Sequence, residues 1–184
     1  MTMKIVKHIG LSFKDPTAIT DCYRSLEADY PKFFKMDGLS KLGFLASEMI
    51  FRDDPQRFVP REDVAVVCFN RSSSLDIDKQ YQATITGSEN YFPSPSLFVY
   101  TLPNIVAGEI AIRNKFLGET SFYVCETFDP ELIFRTLKNT FLDKNINFVL
   151  AAWTECFGNL FEVKMFLIAR EGAGPELTVE QLNI

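Results

Sequence analysis

The sequence predicts a single α/β domain with a mixed, mostly parallel sheet covered by helices on both faces. The chain has 184 residues, which is the usual size of one domain. Apolar runs typical of strands alternate with segments of helical periodicity, and no composition shift or repeat separates them. The last two predicted strands follow each other closely, which favours an antiparallel hairpin and makes the sheet mixed.

The first half of the chain supplies two strands and three helices. Asp15-Pro16 ends the first strand and begins a helix, because proline suits a first helical turn. Asp37 is a suitable N-cap for a nearly continuous apolar helix. The predicted elements are a strand over 3–13, a helix over 18–30, a helix from the N-cap Asp37 to Ile50, a buried strand over 64–69 and a short helix from Ser74 or Asp76 to Gln82.

The second half begins with a long loop, 86–103, which holds three prolines and several aromatic residues. Loops of this length are often functional or cover an interface. The predicted elements after it are a helix over 103–115, a strand over 120–126, a helix over 130–142, a buried strand over 147–153 and a strand over 160–169. The remaining tail is polar, and we expect it to be peripheral.

Composition excludes several classes of function. The chain has 19 Lys+Arg against 24 Asp+Glu, so nucleic acid is not expected as its partner. His8 is the single histidine and lies on the first strand, which leaves no zinc site and no metal site to predict. No dinucleotide or phosphate-binding motif is present, so no cofactor is expected.

The expected location is the cytoplasm, with reduced thiols. The four cysteines form no CxxC motif, and two of them lie in apolar runs. No stretch has the length of a membrane span or the pattern of a signal peptide. The 18 phenylalanines indicate either a large core or an apolar surface that another chain covers.

The segment 94–118, SPSLFVYTLPNIVAGEIAIRNKFLG, is the most informative part of the sequence. It resembles the N-terminal half of a β-ketoacyl synthase of the thiolase-like family. The residues that carry the resemblance are Thr101, Leu102, Pro103, Asn104, Ala107, Gly108, Ile110, Ala111, Ile112, Arg113 and Gly118. Met36-Asp37, the strand 64–69 and the segment 130–155 extend the likeness over about 36–170. The resemblance implies one thiolase-like half domain spanning 1–184.

The resemblance also implies where a catalytic cysteine would lie. In the family this residue ends a strand and meets a helix N-terminus, a place that lowers a thiol pKa. Counted from Gly118, the position falls at about Thr127, which is not a cysteine. Cys125 lies two residues earlier, and such an offset moves the sulfur by roughly 7 Å along a strand. No catalytic residue is therefore assigned.

Family members consist of two similar halves, and the second supplies the histidines that polarise the thioester. This chain corresponds to the first half, and its only histidine lies outside the matching motif. The missing half implies an exposed apolar face that another protein covers. In the family the strand before the nucleophile forms the dimer contact. The corresponding residues here are Ser121, Phe122, Tyr123 and Val124.

The aromatic loop corresponds to a region near the acyl tunnel and the dimer interface of the family. Its predicted pocket or interface residues are Phe92, Phe98, Tyr100 and Asn104. Lys79, Arg113 and Lys115 are the cations that would meet an acidic acyl carrier protein.

The leading hypothesis is a catalytically inactive ketosynthase-like partner subunit in a type II fatty-acid or polyketide-like pathway. It would form a homodimer, or pair with a complete ketosynthase. The alternatives are an acyltransferase or thioesterase that uses Cys125, and a module that binds an acyl chain or an acyl carrier protein.

Overall fold

The computed structural model describes residues 2–86 and 91–183, and its centre is a five-stranded sheet with helices on both faces. The elements are β1 Lys4–Phe13, α1 Pro16–Ser25, α2 Gly38–Ile50, β2 Val64–Asn70, α3 Leu75–Ala83, α4 Pro95–Tyr100, α5 Ile105–Asn114, β3 Thr120–Val124, α6 Pro130–Thr140, β4 Phe148–Phe157 and β5 Leu160–Ala169. Short 3-10 helices cover Pro31–Lys35 and Glu180–Asn183.

The strands lie in the order β1-β5-β4-β2-β3. β2 pairs in parallel with both β3 and β4, whereas β5 pairs antiparallel with both β4 and β1. Only β5 therefore runs against the other four strands. The predicted α/β class and the mixed, mostly parallel sheet are confirmed, and so is the terminal hairpin.

The two faces of the sheet hold separate apolar cores, because successive strand residues point to opposite faces. Leu150 and Ala152 of β4 pack in the core that α1, α2 and α5 cover. Val149 and Ala151 pack in the other core, which lies beneath α6. We call these the α2 face and the α6 face.

Aspartate caps fix where three helices begin. The Asp15 carboxylate accepts hydrogen bonds from the backbone N–H groups of Thr17 and Ala18, at 2.8 and 3.0 Å. Asp37 accepts from Ser40 N–H at 3.0 Å, as the sequence predicts for an N-cap. Asp129 begins α6 in the same way, because it accepts from Leu132 N–H.

The first predicted helix and the predicted long loop differ from the structure. The first helix ends at Ser25, well before Tyr30, and Glu27 just beyond it has a positive φ of 53°. The segment predicted as a loop over 86–103 contains α4, because the Ser94 hydroxyl accepts from Leu97 N–H and Pro95 occupies the first turn. The part of that loop at 87–90 lies outside the described residues.

The C-terminal tail is not peripheral as predicted. Leu177 and Leu182 are buried in the core of the α6 face. The backbone N–H of Ile5 donates to Pro175 O at 3.0 Å, and Leu177 N–H donates to Met3 O at 2.8 Å. The tail therefore covers the start of β1. The polar composition of the tail predicted that it is exposed, because composition does not show that Leu177 and Leu182 are spaced so that both reach the core.

Candidate functional site

The residues predicted to form a dimer contact lie on an edge strand. β3 pairs with β2 alone among the described residues, so its outer edge is open. Tyr123 stacks on Phe69 at 5.3 Å on the α6 face, and 41% of its surface remains exposed. Val124 is 56% exposed, whereas Phe122 packs against the core of the α2 face. This strand presents uncharged side chains and free backbone groups to a partner.

A close approach of two backbones sets the position of β3. Gly118, in the turn before the strand, lies so near β2 that an added Cβ would stand 2.3 Å from Val64 O. Leu117 N–H donates to Arg61 O at 2.7 Å in the same turn. Glycine is therefore required at position 118, the last residue of the segment 94–118, because a side chain there would collide with the backbone of β2.

The other sheet edge differs from β3. β1 carries Lys4 and Lys7 and is partly covered by the tail. Exposed His8 lies on it, with its ring stacked on Phe166 at 6.0 Å. Lysine and a covering segment are two common ways to protect a strand edge from pairing.

The nucleophile position is not at a helix N-terminus. β3 ends at Val124, and α6 begins only at Pro130. The predicted strand over 120–126 is therefore too long, and Thr127 lies in the connecting segment. Cys125 N–H donates to Asn70 O at 2.8 Å, which ends the pairing of β3 with β2.

The surroundings of the Cys125 thiol do not favour its thiolate form. Burial raises its pKa, and the negative charge of Asp129 raises it further. A raised pKa leaves the thiol protonated at neutral pH, whereas a nucleophile requires the thiolate. Cys68 and Cys156 are also buried, and burial raises the pKa of each to about 12.

The aromatic residues of the predicted pocket divide into two groups. Phe92 and Phe98 point largely into solvent, with Phe92 84% exposed. Asn104 stands at the start of α5, and its side chain makes no capping hydrogen bond. Tyr100 is buried, and its ring lines a cavity of about 290 Å³ with Leu97 and Ile77.

This cavity and Cys125 lie on opposite faces of the sheet. The cavity is lined by core residues of the α2 face, including Ile19 and Phe161, whereas Cys125 packs against the core of the α6 face. The sequence could not place them apart, because face assignment depends on the register of β3 and on where that strand ends. The structure therefore does not bring Tyr100 and Cys125 into one site.

Two buried carboxylates of the α2–α5 region were missed by the sequence reasoning. Glu109 accepts a hydrogen bond from the Tyr100 hydroxyl at 3.1 Å and pairs with Lys32 at 2.8 Å. Desolvation raises the pKa of Tyr100, and Glu109 raises it further. The sequence does not distinguish a buried Glu in a helix from an exposed one, so Glu109 could not be recognised as a candidate site residue.

The second buried carboxylate, Glu48, holds the arginine of the motif. Arg113 donates to Glu48 through Nε at 2.9 Å and Nη2 at 3.1 Å. The guanidinium also lies over the rings of Tyr30 and Phe58, at 4.9 and 4.7 Å. Arg113 therefore takes part in the packing of α5 against α2, with 15% of its side chain exposed.

The other two predicted carrier contacts also have local roles. The Lys79 ammonium lies 4.5 Å from the ring centre of Phe157. Lys115 adopts a left-handed conformation, φ 56°, that ends α5.

Helix α6 does not present a broad apolar surface to solvent. The outer side of α6 carries exposed Glu131, Arg135 and Lys138, and its buried side carries Ile133 and Leu137. The apolar surface expected from a missing second half is therefore not found on this helix. Among the described residues, no three His, Cys, Asp or Glu side chains are grouped as metal ligands, and no helix is long and apolar enough to cross a membrane.

Comparisons with known proteins find structural relatives alone. No family model and no curated protein sequence matches the chain. Among solved structures, it is similar to a ketosynthase in complex with its chain length factor from Xenorhabdus doucetiae. That match has a TM-score of 0.66 and 15% identity, and covers 95% of this chain and 81% of the other.

Two further structures show the same likeness. The ishigamide ketosynthase/chain length factor has a TM-score of 0.72 and 16% identity over 96% of this chain, and a β-ketoacyl synthase from Burkholderia phymatum STM815 has a TM-score of 0.61 and 11% identity over 91%. The chain spans 64% and 59% of the lengths of these two relatives. The topology of its sheet and these matches together show that the chain has a thiolase-like, ketosynthase-like α/β fold.

Proposed function

We propose that the chain is a ketosynthase-like partner subunit, without a working nucleophile, that pairs with a complete ketosynthase in a type II fatty-acid or polyketide-like pathway. The open, uncharged outer edge of β3 carries this proposal. In the proposal the whole chain, 1–184, corresponds to the N-terminal domain of a ketosynthase and works in the cytoplasm, where its four free cysteines stay reduced.

The contrast between the two sheet edges supports a specific contact. β1 carries lysines and is partly covered by the tail, whereas β3 has neither kind of protection. Unpaired N–H and C=O groups beside exposed Tyr123 and Val124 can pair with a strand of a second chain. Pairing there would continue the sheet across the interface.

The kind of partner follows from the structural relatives. Two of the similar structures contain a ketosynthase and a chain length factor. A second copy of this chain could use the same edge, since a two-fold contact joins identical surfaces. A complete ketosynthase is the favoured occupant because it would bring the active thiol that this chain lacks.

The state of Cys125 weighs against the alternative of an acyltransferase or thioesterase. Its pKa is raised, and four residues separate it from the first residue of α6. A carrier-protein module also lacks support, since Arg113 is buried against Glu48. Neither alternative explains the unprotected edge of β3.

The test is co-expression of the tagged chain with each ketosynthase of its host, followed by co-purification and native mass spectrometry. We expect a one-to-one complex with a ketosynthase, which Val124→Glu abolishes and Val6→Glu leaves intact. Val6 is the matched control, because it is 41% exposed on the opposite sheet edge.

Three outcomes count against the proposal. Recovery of the chain alone with every ketosynthase would refute the partner role. A stable homodimer that Val124→Glu disrupts would identify a second copy as the occupant. Loss of a ketosynthase complex through Val6→Glu, with Val124→Glu silent, would place the contact on β1.

A further inference from the structure

One side of helix α5 is open to solvent. On the other side α5 packs closely on α2, where a Cβ added at Gly43 would stand 2.5 Å from Val106 and 3.2 Å from Ile110. Successive residues of a helix are turned by about 100°, so the side away from α2 carries Gly108 and Ile112. Ile112 is 65% exposed, and a Cβ added at Gly108 would meet no atom within 4 Å. We call this side, Asn104, Gly108, Ile112 and Lys115, the outer side of α5.

The outer side of α5 adjoins the open edge of β3. The helix lies over β2 and β3 on the α2 face, and Ile105 and Phe122 both pack against the core of that face. Leu117, in the turn between α5 and β3, is also exposed. On the α6 face, by contrast, the same edge is flanked by a polar cleft that Glu119, Asn139 and Asp143 help to line. The apolar surface therefore continues from β3 onto α5 and not toward α6.

The edge of β3 is too short to form a stable interface alone. The strand has five residues. A stable specific interface buries about 800 Å² on each partner and draws on roughly 20–30 residues. A partner that pairs with β3 must therefore also contact a neighbouring element, and the exposed apolar residues beside the edge belong to α5 and the turn after it.

The geometry of a sheet fixes where α5 would lie in such a complex. Antiparallel pairing of β3 with the edge strand of a related chain creates a two-fold axis perpendicular to the sheet, so both α5 helices lie on the same face. Strands are about 4.8 Å apart, which puts the two-fold axis about 2.4 Å from β3 and about 4.8 Å from the line midway between β2 and β3. With α5 over that line, the two helices would be about 9.6 Å apart, within the roughly 8–10 Å of packed helices.

We propose that the outer side of α5 packs against the equivalent helix of the partner ketosynthase, with Gly108 at the helix crossing and Ile112 in the apolar centre of the contact. This inference rests on the proposed partner role and adds a second contact to the pairing of β3. The occupant is a helix because a partner of the same fold carries one over its own edge strand. Asn104 and Lys115, at the two ends of the outer side, supply the polar rim that protein interfaces have.

The test measures, by calorimetry, the affinity of the purified chain for the ketosynthase with which it co-purifies. Ile112→Glu places a carboxylate in the apolar contact, and Gly108→Leu pushes the two helices apart. Each should weaken the complex by about tenfold or more, which is about 1.4 kcal/mol.

The matched controls make the same changes on β1, the opposite edge of the sheet. Val6 is exposed, and a Cβ added at Gly10 would meet no atom within 4 Å, so Val6→Glu and Gly10→Leu should leave the affinity unchanged. Both α5 variants should fold, since Ile112 is exposed and leucine favours a helix more than glycine does. Thermal unfolding of each free variant verifies this, and Ile112→Lys replaces Ile112→Glu if the latter unfolds.

The two proposals fail in different ways. A ketosynthase complex that Val124→Glu abolishes and both α5 variants leave intact would overturn this inference while the partner role stands. Equal weakening by the α5 variants and by their β1 controls would overturn it as well. Absence of a complex with every ketosynthase would refute the partner role, and this inference with it.

Discussion

The buried ion pair between Arg113 and Glu48 gives a direct measure of how tightly α2 and α5 are joined. The two side chains are 15% and 4% exposed, so Arg113→Met would leave a carboxylate buried with only Arg57 as a cationic partner. Removing one partner of a buried pair costs about 3–5 kcal/mol. Since Arg57 stays beside Glu48, we expect a loss of about 3 kcal/mol in the free energy of unfolding.

The matched control is Arg24→Met. Arg24 pairs with Asp21 at 3.0 Å, but both side chains are more than half exposed, at 66% and 62%. Surface pairs of this kind contribute about 0–1 kcal/mol. For a chain of this length 1 kcal/mol corresponds to roughly 2–4 °C, so Arg113→Met should lower the Tm by about 6–12 °C and Arg24→Met by less than about 4 °C.

The assay is urea and thermal unfolding followed by the fluorescence of buried Trp153, the single tryptophan. Glu48→Gln in the Arg113→Met background should recover part of the loss, because a neutral amide is less costly to bury without a cation than a carboxylate. Equal shifts for Arg113→Met and Arg24→Met would refute the argument from burial. No recovery in the double variant would show that lost packing, and not charge, sets the cost.

Four further predictions rest on other features of the fold. Iodoacetamide should alkylate Cys125 more slowly than a small free thiol at pH 7 and faster as pH rises, because only the thiolate reacts; rapid labelling at pH 7 would contradict the raised pKa. Gly108→Ala should stabilise α5 by about 0.5–1 kcal/mol, since an added Cβ meets no atom within 4 Å. Gly174→Ala should destabilise the chain by about 1–3 kcal/mol, because the φ of Gly174 is +127° and a Cβ would stand 2.3 Å from the backbone carbonyl oxygen of Ile5 in β1. Urea unfolding of the two glycine variants checks whether each raises or lowers the free energy of unfolding as predicted. Burial alone would raise the pKa of Asp63, but the hydrogen bond and charge of Arg61 outweigh it, so the pKa is lowered. The stabilisation from the Asp63 carboxylate is present above its unfolded pKa near 3.8 and is lost as pH falls through its lower folded pKa. Asp63→Asn should therefore flatten the pH dependence of the free energy of unfolding in that acid range. A pH dependence that the substitution leaves unchanged there would refute the assignment.

Local chemistry is the part of this protein that the sequence determines by itself. Asp37 caps α2 as predicted, and proline stands in the first turn of α1 and of α6, because these effects depend on neighbours within a few residues. The apolar runs predicted β2 and β4, since strands buried on both faces leave a continuous apolar pattern. The resemblance of 94–118 indicated the fold, which the structural relatives confirm.

Contacts between distant segments are the part that only the tertiary structure decided. That Arg113 pairs with Glu48 does not follow from the sequence, because their 65-residue separation is closed only when α5 packs on α2. The burial of Leu177 and Leu182 in the polar tail depends on their contacts with the core of the α6 face. Strand register places Tyr100 and Cys125 on opposite faces of the sheet. A shift of one residue in register exchanges the two faces, and the alternating pattern of a sequence does not by itself exclude such a shift.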